Sequence, residues 1–136
     1  MERKRKTYAN KTILFCCISL IMIVFLEFLF IQFTLFEIVP YIGIGFHLVG
    51  GMAVGVGVYY VFLPYMIQLP WFMKTFHIIA AVGLAAIGWE GFEWLVSIFY
   101  YNNLQGDLNN TMGDLYVGLL GGLVAAMYIV IKERKI

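Results

Sequence analysis

Five ionisable side chains sit inside long apolar stretches of this chain, and their types suit acid–base or metal chemistry. Glu90 and Glu93 stand three residues apart in "GWEGFEWLVS" (88–97), after eleven uncharged residues from Ile78 to Gly88. His47 lies in "FHLVGG" (46–51), Asp114 in "NTMGDLYVGLL" (110–120), and Glu27 in the first apolar run. The spacing of Glu90 and Glu93 puts both on one helix face. Carboxylates joined by one imidazole suit Mn, Fe, Zn or Ca better than a soft metal. They also suit proton binding and general acid–base work. In lipid the placement is expensive, because an acid at the centre of a spanning helix costs about 2.5–3.5 kcal/mol. Three of them would use up most of the roughly 5–15 kcal/mol that holds a small domain together. Such groups need partners, protons, water or a cation. Glu90 and Glu93 cannot both ionise cheaply side by side, so the pair calls for a proton or a cation between its carboxyls.

The elements that must position these residues follow from composition. The chain of 136 residues is 62% hydrophobic and 12% charged, against about 25% charged in a soluble domain. That balance excludes a water-soluble monomer and predicts an all-α integral membrane protein, a single transmembrane domain over residues 1–136. A span needs about 20 mostly apolar residues. Four fit, at about 12–36, 41–63, 76–100 and 112–131. Pro40 is well placed to start the second. The first begins like a signal peptide but is too long for one and lacks a small-x-small cleavage site, so retention is expected. The segment 64–75 leaves room for a short interfacial helix starting near Pro70. Short connections predict a four-helix up-down-up-down bundle.

Charge predicts orientation. The nine Lys and Arg lie before the first run (Arg3, Lys4, Arg5, Lys6, Lys11), in the middle connection (Lys74) and at the end (Lys132, Arg134, Lys135). With both termini cytoplasmic, all nine fall inside and none in the outer loops, which is the arrangement the positive-inside rule favours. A multi-pass protein of the plasma (inner) membrane is expected, with the lipid bilayer as its surroundings. The basic clusters are too short to form a nucleic-acid surface. Tyr41, Tyr100 and Tyr101 would form an outer aromatic belt, with Trp71 and Tyr65 on the inner side.

This orientation gives the acids a common depth. The first and third spans run outward and carry Glu27, Glu90 and Glu93 past their midpoints. The second and fourth run inward and carry His47 and Asp114 near their outer starts. Small residues share those faces: Gly43, Gly51 and Gly55 with His47; Gly83, Ala86 and Ser97 with Glu90 and Glu93; Gly118, Gly122 and Ala126 with Asp114. Small stripes let helices approach closely in lipid, so the five groups should point inward at one another. Glu27 and Thr34 share a face of the first span. Plainer readings stand beside this one. Thr111-Met-Gly-Asp114 fits a capping box with Thr111 as N-cap. Glu37 and Asp107 read as solvated loop acids, His77 as interfacial, and adjacent Cys16 and Cys17 as apolar fillers that imply no disulfide. Asn109-Asn110-Thr111 is a glycosylation sequon that matters only in a eukaryotic secretory setting. No nucleotide or other cofactor motif is present, and the Glu-x-x-His pattern of di-iron bundles is missing.

Three segments together, "FHLVGG", "WEGFEW" (89–94) and "NTMGDLYVGLLGGLVAA" (110–126), resemble small uncharacterised prokaryotic membrane proteins of the YjdF-like type, and more distantly VanZ-like proteins. The resemblance spans roughly residues 41–130 and implies a site at His47, Glu90, Glu93 and Asp114. The chain departs from that pattern at Asn110, where an aspartate would stand. VanZ-like proteins are linked to glycopeptide resistance, which is too loose a match to carry over. The residues themselves point to an outward-facing acidic pocket of Glu27, His47, Glu90, Glu93 and Asp114 that binds or translocates a cation or proton, with a divalent metal as the candidate cofactor. A homodimer would give a wider pathway. A second expectation is a metal-dependent intramembrane hydrolase acting on a lipid-linked or cell-envelope substrate, with Glu90 or Glu93 as base and His47 as ligand or acid. A third is a non-catalytic accessory subunit in which the acids join helices.

Overall fold

The computed structural model describes residues 2–39, 41–100 and 106–134. These form five α-helices and one 3-10 turn: α1 (Glu2–Gln32), the turn Leu35–Glu37, α2 (Ile42–Val61), α3 (Leu63–Met66), α4 (Trp71–Tyr100) and α5 (Leu108–Glu133). Four of them contain segments long and apolar enough to cross a membrane: Lys6–Gln32, Ile42–Val61, Trp71–Phe99 and Leu108–Glu133. Large apolar side chains cover their outward faces, among them Phe15, Leu84 and Phe99, each more than 70% exposed. In water such a surface would aggregate; against lipid tails it carries no penalty.

Three helices start earlier than the apolar runs predict. α1 begins at Glu2 rather than Thr12, because Lys, Arg and Glu are good helix formers and carry the helix beyond its apolar part. α4 begins at Trp71 and α5 at Leu108. At 1.5 Å per residue, α1 and α4 are each about 45 Å long, more than the roughly 30 Å of a hydrocarbon core. The end of α1 is also earlier than expected. Thr34 adopts φ 53°, in the left-handed region, so it leaves the helix and does not share a face with Glu27.

Two prolines explain the middle connection. The short helix expected from Pro70 lies instead at Leu63–Met66, with Pro64 in its first turn. Pro70 opens the next span: its carbonyl accepts from the amides of Met73 and Lys74 at 3.0 and 3.1 Å. A proline at a helix start loses nothing, since its missing N–H would have had no intrahelical partner. The expectations for Pro40 and Tyr101 lie outside the described residues.

The closest packing joins α2 to α5, through glycine. A Cβ on Gly51 would collide with the carbonyl oxygen of Gly118, and one on Gly121 with that of Leu48. A Cβ on Gly55 would lie 2.9 Å from the Ala125 methyl, and one on Gly122 2.9 Å from a Val82 methyl. Backbones approach this closely only where side chains vanish. α4 packs against α5 and α2, whereas α1 packs on α2 and touches α4 and α5 marginally at most. Ile78, Val82, Ala126 and Ile129 form a fully buried apolar layer across the bundle.

Beyond that layer the start of α1, the end of α2, the start of α4 and the end of α5 meet in a polar lock. Lys74 is buried and pairs with Glu133, which also accepts from the Tyr59 hydroxyl. The Lys132 ammonium donates to the hydroxyls of Tyr8 at 2.7 Å and Tyr60 at 3.2 Å. It also lies 4.4 Å from the Tyr8 ring centroid, a cation–π distance. Lys74 is thus an interhelical partner inside the first turn of α4, not a residue of an exposed connection.

Candidate metal centre

Each long helix delivers an ionisable group to the other end of the bundle. Glu27 comes from α1, His47 from α2, Glu90 and Glu93 from α4, and Asp114 from α5. The four acids are each less than 10% exposed. On α4 the three-residue step from Glu90 to Glu93 keeps both carboxyls on the inward face. The glycine contacts of Gly51 with Gly118 lie one turn from His47 and Asp114 and hold those two side chains near each other. His47 Nε2 stands 3.7 Å from Asp114 Oδ1, too long for a hydrogen bond but close enough for strong electrostatic coupling.

The donor atoms form two overlapping groups. Glu27, His47 and Glu93 each bring one ligand atom within 4.8 Å of the others; so do His47, Glu90 and Asp114. His47 belongs to both. Two of the carboxylates are held by neighbours: Trp89 Nε1 donates to Glu93 Oε1 at 2.8 Å, and Asn110 Nδ2 donates to Asp114 Oδ2 at 2.8 Å. Glu90 differs. Both its oxygens are fully buried, and among the described residues no donor meets either one in ordinary hydrogen-bond geometry; Thr111 is the side chain that comes near it. A buried carboxylate without a donor is costly enough that its site normally has a further occupant, a cation or a proton. Oxygen donors with one imidazole fit a hard or borderline divalent ion.

The capping-box reading of Asp114 is overturned. The N-cap of α5 is Asp107, whose Oδ1 accepts from the Asn110 amide at 2.8 Å. The helix starts four residues before Thr111 could cap it, so Asp114 lies inside it with its side chain free to face His47. Asp107 is exposed, as expected of a solvated acid, and also caps α5. Its signal was in the sequence, where Asp, among the best N-cap residues, follows a glycine; Gly106 adopts φ 71°. Glu37 is exposed and stands apart from the cluster. His77 bonds the Met73 carbonyl through Nδ1 at 2.7 Å and takes no part in it. Trp89 and Asn110 are positioning residues that sequence reading missed, since each acts through an i, i+4 bond to an acid.

Beside the cluster lies a cavity of about 170 Å³ between α1, α2 and α4, bordered by Glu27 and His47 and otherwise mainly apolar.

These features belong to an integral membrane protein with several spans, and the comparisons with known proteins agree. Residues 2–135 match the family described as "Predicted membrane protein (DUF2238)". The chain belongs to that family, and the match takes in the first span as well as the segments that carry the YjdF-like resemblance. Neither the curated proteins nor the solved structures contain a match, so the VanZ-like resemblance gains no support.

Proposed function

We propose that this membrane protein binds a divalent cation within the bilayer, at His47, Glu90 and Asp114, with Glu27 and Glu93 as the adjoining donors. The observation that carries the reading is Glu90, a buried carboxylate with no well-placed donor among the described residues, within a ligand's reach of an imidazole and a second carboxylate. A divalent ion would supply the missing countercharge. The apolar layer of Ile78, Val82, Ala126 and Ile129 blocks the route from the cluster to the tyrosine–lysine end, which favours a binding centre over an open translocation path. Both termini are placed on the cytoplasmic side of the plasma membrane in an up-down-up-down bundle, supported by the nine-to-none bias of Lys and Arg. The centre then sits in the outer half of the bilayer.

The test is equilibrium dialysis of the purified protein in phosphatidylcholine nanodiscs against Mn²⁺, Zn²⁺ or Ca²⁺, followed by elemental analysis. Stoichiometric binding of one of these ions, weakened at least tenfold by Glu90→Gln and by His47→Ala, is the expected result. Binding that is absent, or indifferent to both substitutions, overturns the reading.

A further inference from the structure

The cavity beside the cluster reaches the exposed surface of the bundle. Its walls are α1 and α4, which scarcely touch each other, and its floor is α2. Two of its lining residues, Val24 on α1 and Ala85 on α4, are exposed on the outer surface of the bundle. Both lie inside membrane-spanning segments, so the medium at this mouth is the hydrocarbon of the bilayer. The rest of its lining includes the apolar Ile23 and Val82 and the polar Glu27 and His47. Trp89, which donates to Glu93, forms part of the wall.

Size and charge define what fits. A volume of about 170 Å³ is close to that of an engineered cavity that takes up benzene. It admits a short length of one hydrocarbon chain and excludes a pair of acyl chains. If Glu90 and Asp114 face an ion with His47, the carboxyl left at the cavity is Glu27, with Glu93 behind the wall and bonded to Trp89. An anionic head would meet Glu27 at like charge. A cationic head would relieve the repulsion between the two acids and would also find an aromatic wall, which suits an ammonium group. Among the described residues no Lys or Arg borders the cavity to receive a phosphate.

We propose that the cavity between α1 and α4 binds a single-chain amphiphilic amine drawn laterally from the bilayer, its ammonium at Glu27 and its chain leaving between Val24 and Ala85. The proposal rests on the metal reading for leaving Glu27 to the cavity, and goes beyond it in the apolar channel, which an inorganic ion has no use for.

The experiment uses a protein with Trp89 as its single tryptophan. Trp71 and Trp94 are both more than half exposed and can be replaced by Phe. The probe is a terminally brominated twelve-carbon alkylamine, added to the protein in phosphatidylcholine nanodiscs, with Trp89 quenching as the readout. Alkyl sulfate and alkyl alcohol of the same length are the comparisons. Saturable quenching by the amine is expected, weakened at least tenfold by Glu27→Gln and abolished by Ala85→Phe, which blocks the mouth at an exposed position and leaves the core untouched. The sulfate and the alcohol should quench only in linear proportion to their concentration in the bilayer. Linear quenching by the amine, equal saturation by the sulfate, or an unchanged response in both variants overturns the proposal. Metal content measured on the same samples separates the two readings: metal without saturable amine binding sinks this one alone, and amine binding without metal sinks the other alone.

Discussion

At one end of the molecule Lys74 lies buried against Glu133, Glu133 also accepts from Tyr59, and Lys132 is shared by Tyr8 and Tyr60. At the other end four buried carboxyls face one histidine, and Glu90 has no well-placed donor among the described residues. Both ends take ionisable groups out of water, and each draws on all four long helices. The first end balances charge with charge and hydroxyl with ammonium, so its desolvation is offset inside the protein. The second end gathers four carboxyls around one imidazole, and no Lys or Arg among the described residues pairs with them. A lock can be self-sufficient; a binding site must lack something. That asymmetry distinguishes a structural polar cluster from one that awaits an occupant.

The largest effect should come from breaking the balanced end. Glu133→Ala leaves the Lys74 ammonium buried without its partner and should destabilise the protein by about 3 kcal/mol, the low end for a broken buried pair because Glu133 itself is partly exposed. Unfolding in mixed detergent would measure it. Replacing both members, Lys74→Met with Glu133→Leu, should restore most of that loss, because the penalty lies in the unpaired charge; a double variant as unstable as the single one would contradict the account of this end. The acidic end should respond with the opposite sign. Glu90→Gln removes a buried charge that has no well-placed donor and should leave the metal-free protein as stable or about 1 kcal/mol more stable. Added divalent ion should then stabilise the native protein and not the variant, as a rise in unfolding midpoint would show. Asp107→Ala, at the start of α5, should cost about 1 kcal/mol through its lost cap. It should leave the ion response in place, because Asn110 still holds Asp114. Tyr8→Phe is the mildest, about 0.5–1 kcal/mol from one of two hydroxyls around Lys132, and should not change ion binding at all.

Much of this arrangement could be read from the chain. Depth counting brought Glu27, His47, Glu90, Glu93 and Asp114 to one level, and helical spacing put glycines on the faces of His47 and Asp114. Both inferences rest on regular geometry, which long apolar helices obey well. The tyrosine–lysine lock was invisible for the opposite reason. Lys74 and Glu133 are 59 residues apart, and no local spacing announces such a pair. Lys74 also had a sufficient explanation as a topology signal, and one physical role hid the other. The α5 cap is hard to read because the helix extends beyond its apolar part. A polar first turn at Asn109 and Asn110 is helix all the same once Asp107 satisfies its amides. Gly121 was overlooked because the Gly118–Gly122 step drew the face one residue to its side. In the structure Gly121 meets the Leu48 carbonyl directly.

The glycine contact between α2 and α5 also bears on how the protein is made. α2 enters the membrane early in synthesis, yet the surface it fits, Gly118 and Gly121, belongs to the last span. Until α5 is inserted, Gly51 and Gly55 face lipid or a temporary neighbour, and His47 and the acids of α4 lack Asp114. The group of His47, Glu90 and Asp114 is therefore incomplete on a partly made chain. A protein truncated before α5 would present its acids and its glycine face to the bilayer unpaired, the kind of unfinished surface that membrane quality control removes. Completion of the last helix and completion of the site are one event.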